Sequence, residues 1–281
     1  MIGMEHRLAE FIAPAGRSLI LDTSAGLSLG VLPGLAHFAQ DIQPFVGLAS
    51  GLVCSPGQIG RLQPLHKGDA GLLVRMDWNN TLRGADFTLP PTTPQRVALL
   101  TAADALDLGA CGMVTTILLG YDEEVEAASI RATVQLALSG KPLGLPLVAE
   151  VRPTGPRVAL FGKAVELGAS YALEGGADVI VVPHPGKASL ATLGKFVSVP
   201  WFVKPTSLQA AQSELAEALS AGAAGLWLDH AVFALPDPLD FLTHLRSFQP
   251  AGLAENSAIQ SAPLPLHTPS GGRSGGEGAG G

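Results

Sequence analysis

One phrase occurs three times in this chain and limits what it can fold into: a helical pattern closes on Gly-Ala and passes at once into an apolar run. It stands at Leu106-Asp107-Leu108-Gly109-Ala110, at Glu174-Gly175-Gly176-Ala177 and at Leu219-Ser220-Ala221-Gly222-Ala223. Glycine at the end of a helix takes the left-handed cap conformation that other residues resist. The run after the second copy, Val179-Ile180-Val181-Val182, shows no polar alternation and so reads as a strand covered on both faces, as in a parallel sheet. It leaves through Pro183-His184-Pro185-Gly186, a loop with a polar residue at its centre. Helix, glycine and buried strand in repetition are the mark of a wound α/β fold.

Eight apolar runs can be counted: Ser18–Asp22, Phe45–Ala49, Gly71–Asp77, Gly112–Leu118, Pro146–Val151, Val179–Val182, Pro200–Lys204 and Gly225–Asp229. Helical patterns fall at Leu8–Ile12, Pro94–Leu108, Glu123–Leu138 and, more weakly, Ser189–Phe196. Three glutamates in the first turns of Glu123–Leu138 suit the positive end of a helix dipole. Eight strands with helical segments between them predict an α/β TIM (β/α)8 barrel, a fold that needs about 250 residues. The chain has 281, of which 47% are hydrophobic and 15% charged, enough for one large core. The expected division is a single barrel domain over 1–251 and a disordered Gly/Ser/Pro-rich tail over 252–281, whose composition cannot offset its ordering entropy.

Charge and cysteine usage narrow the partners. With 17 basic against 24 acidic residues the net charge is -7, and no Lys/Arg stripe is available to follow a phosphate backbone, so a nucleic-acid partner is not expected. No run approaches the roughly 20 apolar residues of a membrane helix. The opening Met1–Arg7 carries Glu5 and no apolar core, unlike a signal peptide. Cys54 and Cys111 lack paired spacing and read as reduced core thiols. These features give the expectation of a cytoplasmic homo-oligomer acting on a small-molecule substrate, with no cofactor and no metal.

In a barrel of this kind the chemistry sits at the C-terminal ends of the strands. The candidates there are Asp22, Arg75, Asp77, Asn79, Glu150, Arg152, His184, Lys204, Asp229 and His230, with Ser24, Cys54 and Thr115 nearby. Lys204 ends the apolar run Trp201-Phe202-Val203, where desolvation favours a nucleophilic amine. A structural ion pair with Glu150 or Asp229 is the other reading of Lys204. Asp22 or Glu150 is the proton-transfer partner expected beside it. Arg75, Asp77, Asn79, Arg152, His184, Asp229 and His230 form the expected substrate-binding set. His184 reads equally as a solvated loop residue, and Arg75 with Asp77, or Glu150 with Arg152, as loop ion pairs. Asp77, Glu150, Asp229 and His230 are hard ligands without the short spacing of a metal site.

The order of local phrases resembles the class I aldolase group: archaeal-type fructose-bisphosphate aldolase, the autoinducer-2 thiolase-like enzymes and, more remotely, deoxyribose-phosphate aldolase. The matching phrases are Leu21-Asp22 with Pro33-Gly34-Leu35, Gly120-Tyr121-Asp122-Glu123-Glu124, Gly144-Leu145-Pro146-Leu147, Arg152-Pro153-x-Gly155, Gly176-Ala177-Asp178, Val199-Pro200 and Ala223-Ala224-Gly225. The resemblance implies a TIM barrel and carbon–carbon lyase chemistry through a Schiff base, and it covers about residues 15–247. It also marks departures. The group's Schiff-base lysine falls at Val181 or Val182, its tyrosine before Pro-x-Gly is Arg152, its phosphate-binding glycines become Lys204-Pro205-Thr206, and its strand-eight Gly-Arg becomes Asp229-His230. Two readings follow: a divergent aldolase-like lyase in which Lys204 has taken over imine formation, with weak affinity for phosphorylated sugars, or a non-catalytic barrel that binds a small polar ligand.

Overall fold

The computed structural model describes residues 2–13, 17–62 and 70–248. Eight parallel strands close into a barrel: β1 (Ser18–Asp22), β2 (Gly51–Cys54), β3 (Gly71–Arg75), β6 (Gly112–Leu118), β7 (Leu147–Arg152), β8 (Val179–Pro183), β9 (Trp201–Lys204) and β10 (Gly225–Leu228), with β1 pairing both β2 and β10. This is the expected TIM barrel. Between β3 and β6 the chain makes an antiparallel hairpin of β4 (Asp77–Asn79) and β5 (Arg96–Ala98). Helices flank the strands: α1 (Ile2–Ala9), α2 (Gly26–Leu29), α3 (Phe38–Asp41), α4 (Gln43–Val46), α5 (Pro56–Leu62), α6 (Ala102–Asp107), α7 (Glu123–Gly140), α8 (Phe161–Glu174), α9 (Lys187–Phe196), α10 (Ala211–Ser220) and α11 (Pro238–Ser247). The tail expected over 252–281 lies outside the described residues.

Two expected elements are corrected. The run Phe45–Ala49 is not the second strand: α4 takes its first half, with Pro44 in its first turn, and the strand is Gly51–Cys54. A short apolar run does not distinguish a buried helical turn from a buried strand by periodicity. The helical pattern over Pro94–Leu108 is also split, because Arg96–Ala98 pairs with Asp77–Asn79 and only Ala102–Asp107 is helical. Thr101 caps that helix through a reciprocal capping box with Asp104.

The three Gly-Ala phrases adopt one geometry. Gly109, Gly176 and Gly222 have φ of 74°, 84° and 94°. Each following alanine donates its N–H five residues back, Ala110 to Ala105, Ala177 to Ala172 and Ala223 to Ala218, at 3.1, 3.0 and 2.9 Å. Each glycine N–H also bonds the carbonyl three residues back, completing a Schellman motif. A Cβ on Gly222 would meet nothing within 4 Å, so there the cost of substitution is conformational alone. Gly222→Ala should therefore lower stability by about 1–2 kcal/mol, read as a shift in the urea midpoint at unchanged m.

Two apolar layers result. Residues facing outward from the strands pack on the helices, while Ile20, Val53, Leu73, Val114, Val148, Val179, Val181, Phe202 and Trp227 form the inner cluster with Phe11. Phe11 lies against Gly51 and Gly71, where an added Cβ would come within 3.0 and 2.8 Å of the Phe11 Cβ. Glycine at the start of these strands leaves room for that ring. The interior is thus filled below, and the buried charged side chains of the barrel strands lie at the opposite strand ends.

Candidate functional site at the C-terminal strand ends

Strand register decides which polar residues meet. Along β7 and β8 the inner-cluster residues Val148, Val179 and Val181 set the inward parity, and Glu150 pairs with Val181 in register. Val181 is accordingly the inward position on β8, whereas Val182 packs among the outer-layer residues. Glu150 enters the barrel with its side chain fully buried and meets three cations. Arg75 Nη1 lies 2.8 Å from Oε2, Arg152 Nε 2.8 Å from Oε1, and Lys204 Nζ 2.5 Å from Oε1. Of the two readings of Lys204, its contact with Glu150 is therefore present.

Arg75 joins this group to a second carboxylate. Its Nη2 is 2.6 Å from Asp22 Oδ2, its Nε donates to Ser24 Oγ at 3.0 Å, and its Nη1 donates to Thr116 Oγ1 at 3.2 Å. Asp22 further accepts from the Ser24 N–H and hydroxyl and from Trp227 Nε1 at 3.2 Å. Ser24, Thr116 and Trp227 thus complete the network. Thr116 and Trp227 were missed in the sequence, because their strands are buried on both faces and only the register shows that both share the inward parity of Val114 and Phe202.

The charges hold one another ionised. Burial raises the Glu150 carboxyl pKa, but Arg152, Lys204 and Arg75 outweigh burial and leave it well below the ordinary range. Asp22 is likewise lowered: burial and Glu150 push it up, and Arg75, Lys204 and the Ser24 hydrogen bond push it further down. Arg75 is raised, because Asp22, Glu150 and Asp77 more than offset its burial. Carboxyls with folded pKa values below their unfolded values contribute stability that is complete above the unfolded values, near 4. That contribution is lost as pH falls below them. Urea midpoints should accordingly stay level from pH 8 to about 5 and fall steeply by about 3.5.

Of the remaining candidates, Asp77 and Asn79 meet this cluster through Thr116 Oγ1, and His184, Asp229 and His230 stand apart from it. Asp77 was expected to hold substrate, but its buried carboxylate takes Arg96 Nε at 2.7 Å and the Thr116 N–H at 2.9 Å, and so ties the hairpin to β6. Asn79 accepts from the Thr81 N–H and hydroxyl through Oδ1, which shapes the hairpin loop. Arg96 had no signal in the sequence because its partner is 19 residues away across a hairpin. His184 turns to α10, with Nε2 3.2 Å from Glu217 Oε2 but without the angle of a hydrogen bond, and Nδ1 3.9 Å from Glu214. It therefore stands on the helix side of β8 rather than inside the mouth. Asp229 is exposed and caps the short 3-10 turn His230–Ala234 by accepting from the Ala231 N–H. His230 begins that turn and is half-buried. Among the described residues, no group of three or more His, Cys, Asp or Glu side chains is placed to hold a metal ion.

A cavity of about 130 Å³ opens at this end, lined by Lys204, Pro205, Thr206, Trp227 and Asp229 among others. A larger groove of about 540 Å³ runs on the outside between α9 and α10, past Leu190, Gly194 and Ala216. The polar chemistry belongs to the smaller one. Cys54 and Cys111 are buried free thiols, and burial pushes Cys54 up to about 12, so neither is a ready nucleophile.

The fold and these strand-end charges define a (β/α)8 barrel with a buried ionic centre at the C-terminal ends of its strands. No family model matches the chain. It is 29% identical over 237 residues to 2-amino-3,7-dideoxy-D-threo-hept-6-ulosonate synthase of Halobacterium salinarum, covering 81% of this chain and 84% of that protein. It is 27% identical over 178 residues to 3-hydroxy-5-phosphonooxypentane-2,4-dione thiolase of Shigella flexneri, covering 63% and 65%. Among solved structures, an archaeal fructose 1,6-bisphosphate aldolase superposes with a TM-score of 0.70 at 22% identity, over 86% of this chain and 97% of the other. These relatives and structural neighbours belong to the class I aldolase group that the local phrases resemble. No described helix is long and apolar enough to cross a membrane.

Proposed function

We propose that the protein is a carbon–carbon lyase acting on a small carbonyl compound, with Lys204 as a relocated Schiff-base lysine. The observation that carries this reading is the position of Lys204 Nζ, which reaches the inner face, lines the cavity and touches a carboxylate oxygen at 2.5 Å. β8 and β9 are neighbours, with Pro183 opposite Lys204, so an amine from β9 enters the barrel mouth one strand over from the inward Val181 position. Attack of the free amine on a carbonyl carbon forms a carbinolamine. Loss of water gives an iminium. A base takes the proton of the β-hydroxyl, and the electron pair of the breaking carbon–carbon bond passes to the iminium to leave an aldehyde and an enamine. Protonation of the enamine at carbon, followed by hydrolysis, releases the second carbonyl product and returns the lysine. Glu150 Oε1 takes the ammonium proton and returns it to the departing hydroxyl, while Asp22 holds Arg75 in place. Asp229 and His230 at the rim give a phosphate dianion no cationic cradle. We also infer a cytoplasmic homo-oligomer, supported by the buried free thiols and by exposed Leu138, Leu160 and Leu167 on or beside α7 and α8.

One observation favours the non-catalytic reading. Three cations keep Glu150 ionised, so proton transfer to it from Lys204 is uphill, and the pair is then a structural clasp. Borohydride reduction in the presence of short ketones and aldehydes separates the two, because only an imine leaves a stable adduct on Lys204.

A further inference from the structure

We infer that the mouth accepts a substrate with a carboxylate on the carbon next to its carbonyl, a 2-oxo acid, and that Arg152 Nη1 recognises that carboxylate; this rests on Lys204 as the attacking amine. The first argument is charge. At the strand ends Arg75, Arg96, Arg152 and Lys204 face Asp22, Asp77 and Glu150, and no side chain of the seven is more than 17% exposed. Four cations against three carboxylates leave one positive charge in a poorly solvated site, where a single negative charge is favoured. A carboxylate supplies one, whereas a phosphate dianion overshoots.

The second argument is donor geometry. A guanidinium carries five N–H donors in a planar fork. Arg152 uses Nε and Nη2 on the two oxygens of Glu150, at 2.8 and 3.2 Å. Its Nη1 is buried without a protein partner. That nitrogen is held in place by the fork and is left as a charged donor without a partner, able to give a charge-assisted hydrogen bond to one carboxylate oxygen.

The third is proximity and size. Lys204 Nζ and Arg152 Nε share the same Glu150 oxygen, so a carbonyl carbon reached by the amine puts its neighbouring carbon within range of the guanidinium. The cavity of about 130 Å³ at Lys204 and Trp227 is well under the roughly 300 Å³ where drug-sized sites begin and suits three or four carbons; Arg152 is not part of its lining and stands behind Lys204, across the Glu150 oxygen they share. Asp229, exposed at the rim, repels a carboxylate there and favours the inward orientation.

Calorimetry on the full chain with pyruvate and, as a neutral counterpart, hydroxyacetone tests this, alongside borohydride trapping with each. Pyruvate should bind at least tenfold more tightly than hydroxyacetone, and Arg152→Gln should remove that preference while hydroxyacetone affinity changes less than threefold. Asp229→Asn, which keeps the cap acceptor, should strengthen pyruvate binding severalfold and serves as the test if Arg152→Gln fails to fold. Equal binding of the two probes by the wild type, binding of neither, or a pyruvate preference that survives Arg152→Gln would overturn the inference. Tight pyruvate binding without a reducible adduct supports the carboxylate site and sinks the Schiff base instead. Trapping of hydroxyacetone with no pyruvate preference does the reverse.

Discussion

Replacing Glu150 with glutamine should cost about 3–5 kcal/mol of folding stability, roughly 10 °C in Tm for a domain of this size. The carboxylate is fully buried and holds Arg75, Arg152 and Lys204 at 2.8, 2.8 and 2.5 Å. Glutamine keeps the shape but removes the charge, which leaves three cations converging on a neutral amide where desolvation is already severe. The loss should appear at neutral pH and shrink below about pH 4, because the unfolded wild type then takes up a proton at this group while the folded state still holds it ionised. The acid limb of the stability profile should flatten correspondingly. A variant as stable as wild type at pH 7 would mean that solvent reaches these charges and that the buried cluster is not what holds the strand ends together.

The second large effect should come from Lys204→Met and should be chemical rather than structural. Reductive trapping with short ketones should add mass to the wild type and none to the variant, a complete loss of label. Stability should change by no more than about 1 kcal/mol, since Glu150 keeps Arg75 and the Arg152 fork, and the long methionine side chain fills much of the same space. Removing one cation also lowers the charge excess of the site. The contrast with Glu150→Gln matters: a third cation can leave a carboxylate that two others hold, but the carboxylate cannot leave all three. Equal labelling of both proteins, or of neither, would move the assignment to the non-catalytic barrel. Peptide mapping of the labelled wild type would show whether another lysine had been modified.

The sequence by itself determined the barrel and the contents of its mouth. Three Gly-Ala phrases set three identical helix ends, because only glycine enters the left-handed cap without strain. The seven runs other than Phe45–Ala49 were legible as strands, because polypeptide buried on both faces has to be continuously apolar. Lys204, Glu150, Arg152, Asp22 and Arg75 could be read as strand-end residues from their place after those runs. The tertiary structure decided how they are used. A strand that is apolar on both faces carries no visible inward parity, so the choice between Val181 and Val182, or between Thr115 and Thr116, waits for the register of the neighbouring strand. Asp77 and Asn79 serve a hairpin whose second strand looks like a helix when read alone, and His184 faces a helix more than 25 residues further along. The clasp on Glu150 joins β3, β7 and β9, which come together only when the sheet closes, so no local pattern encodes it.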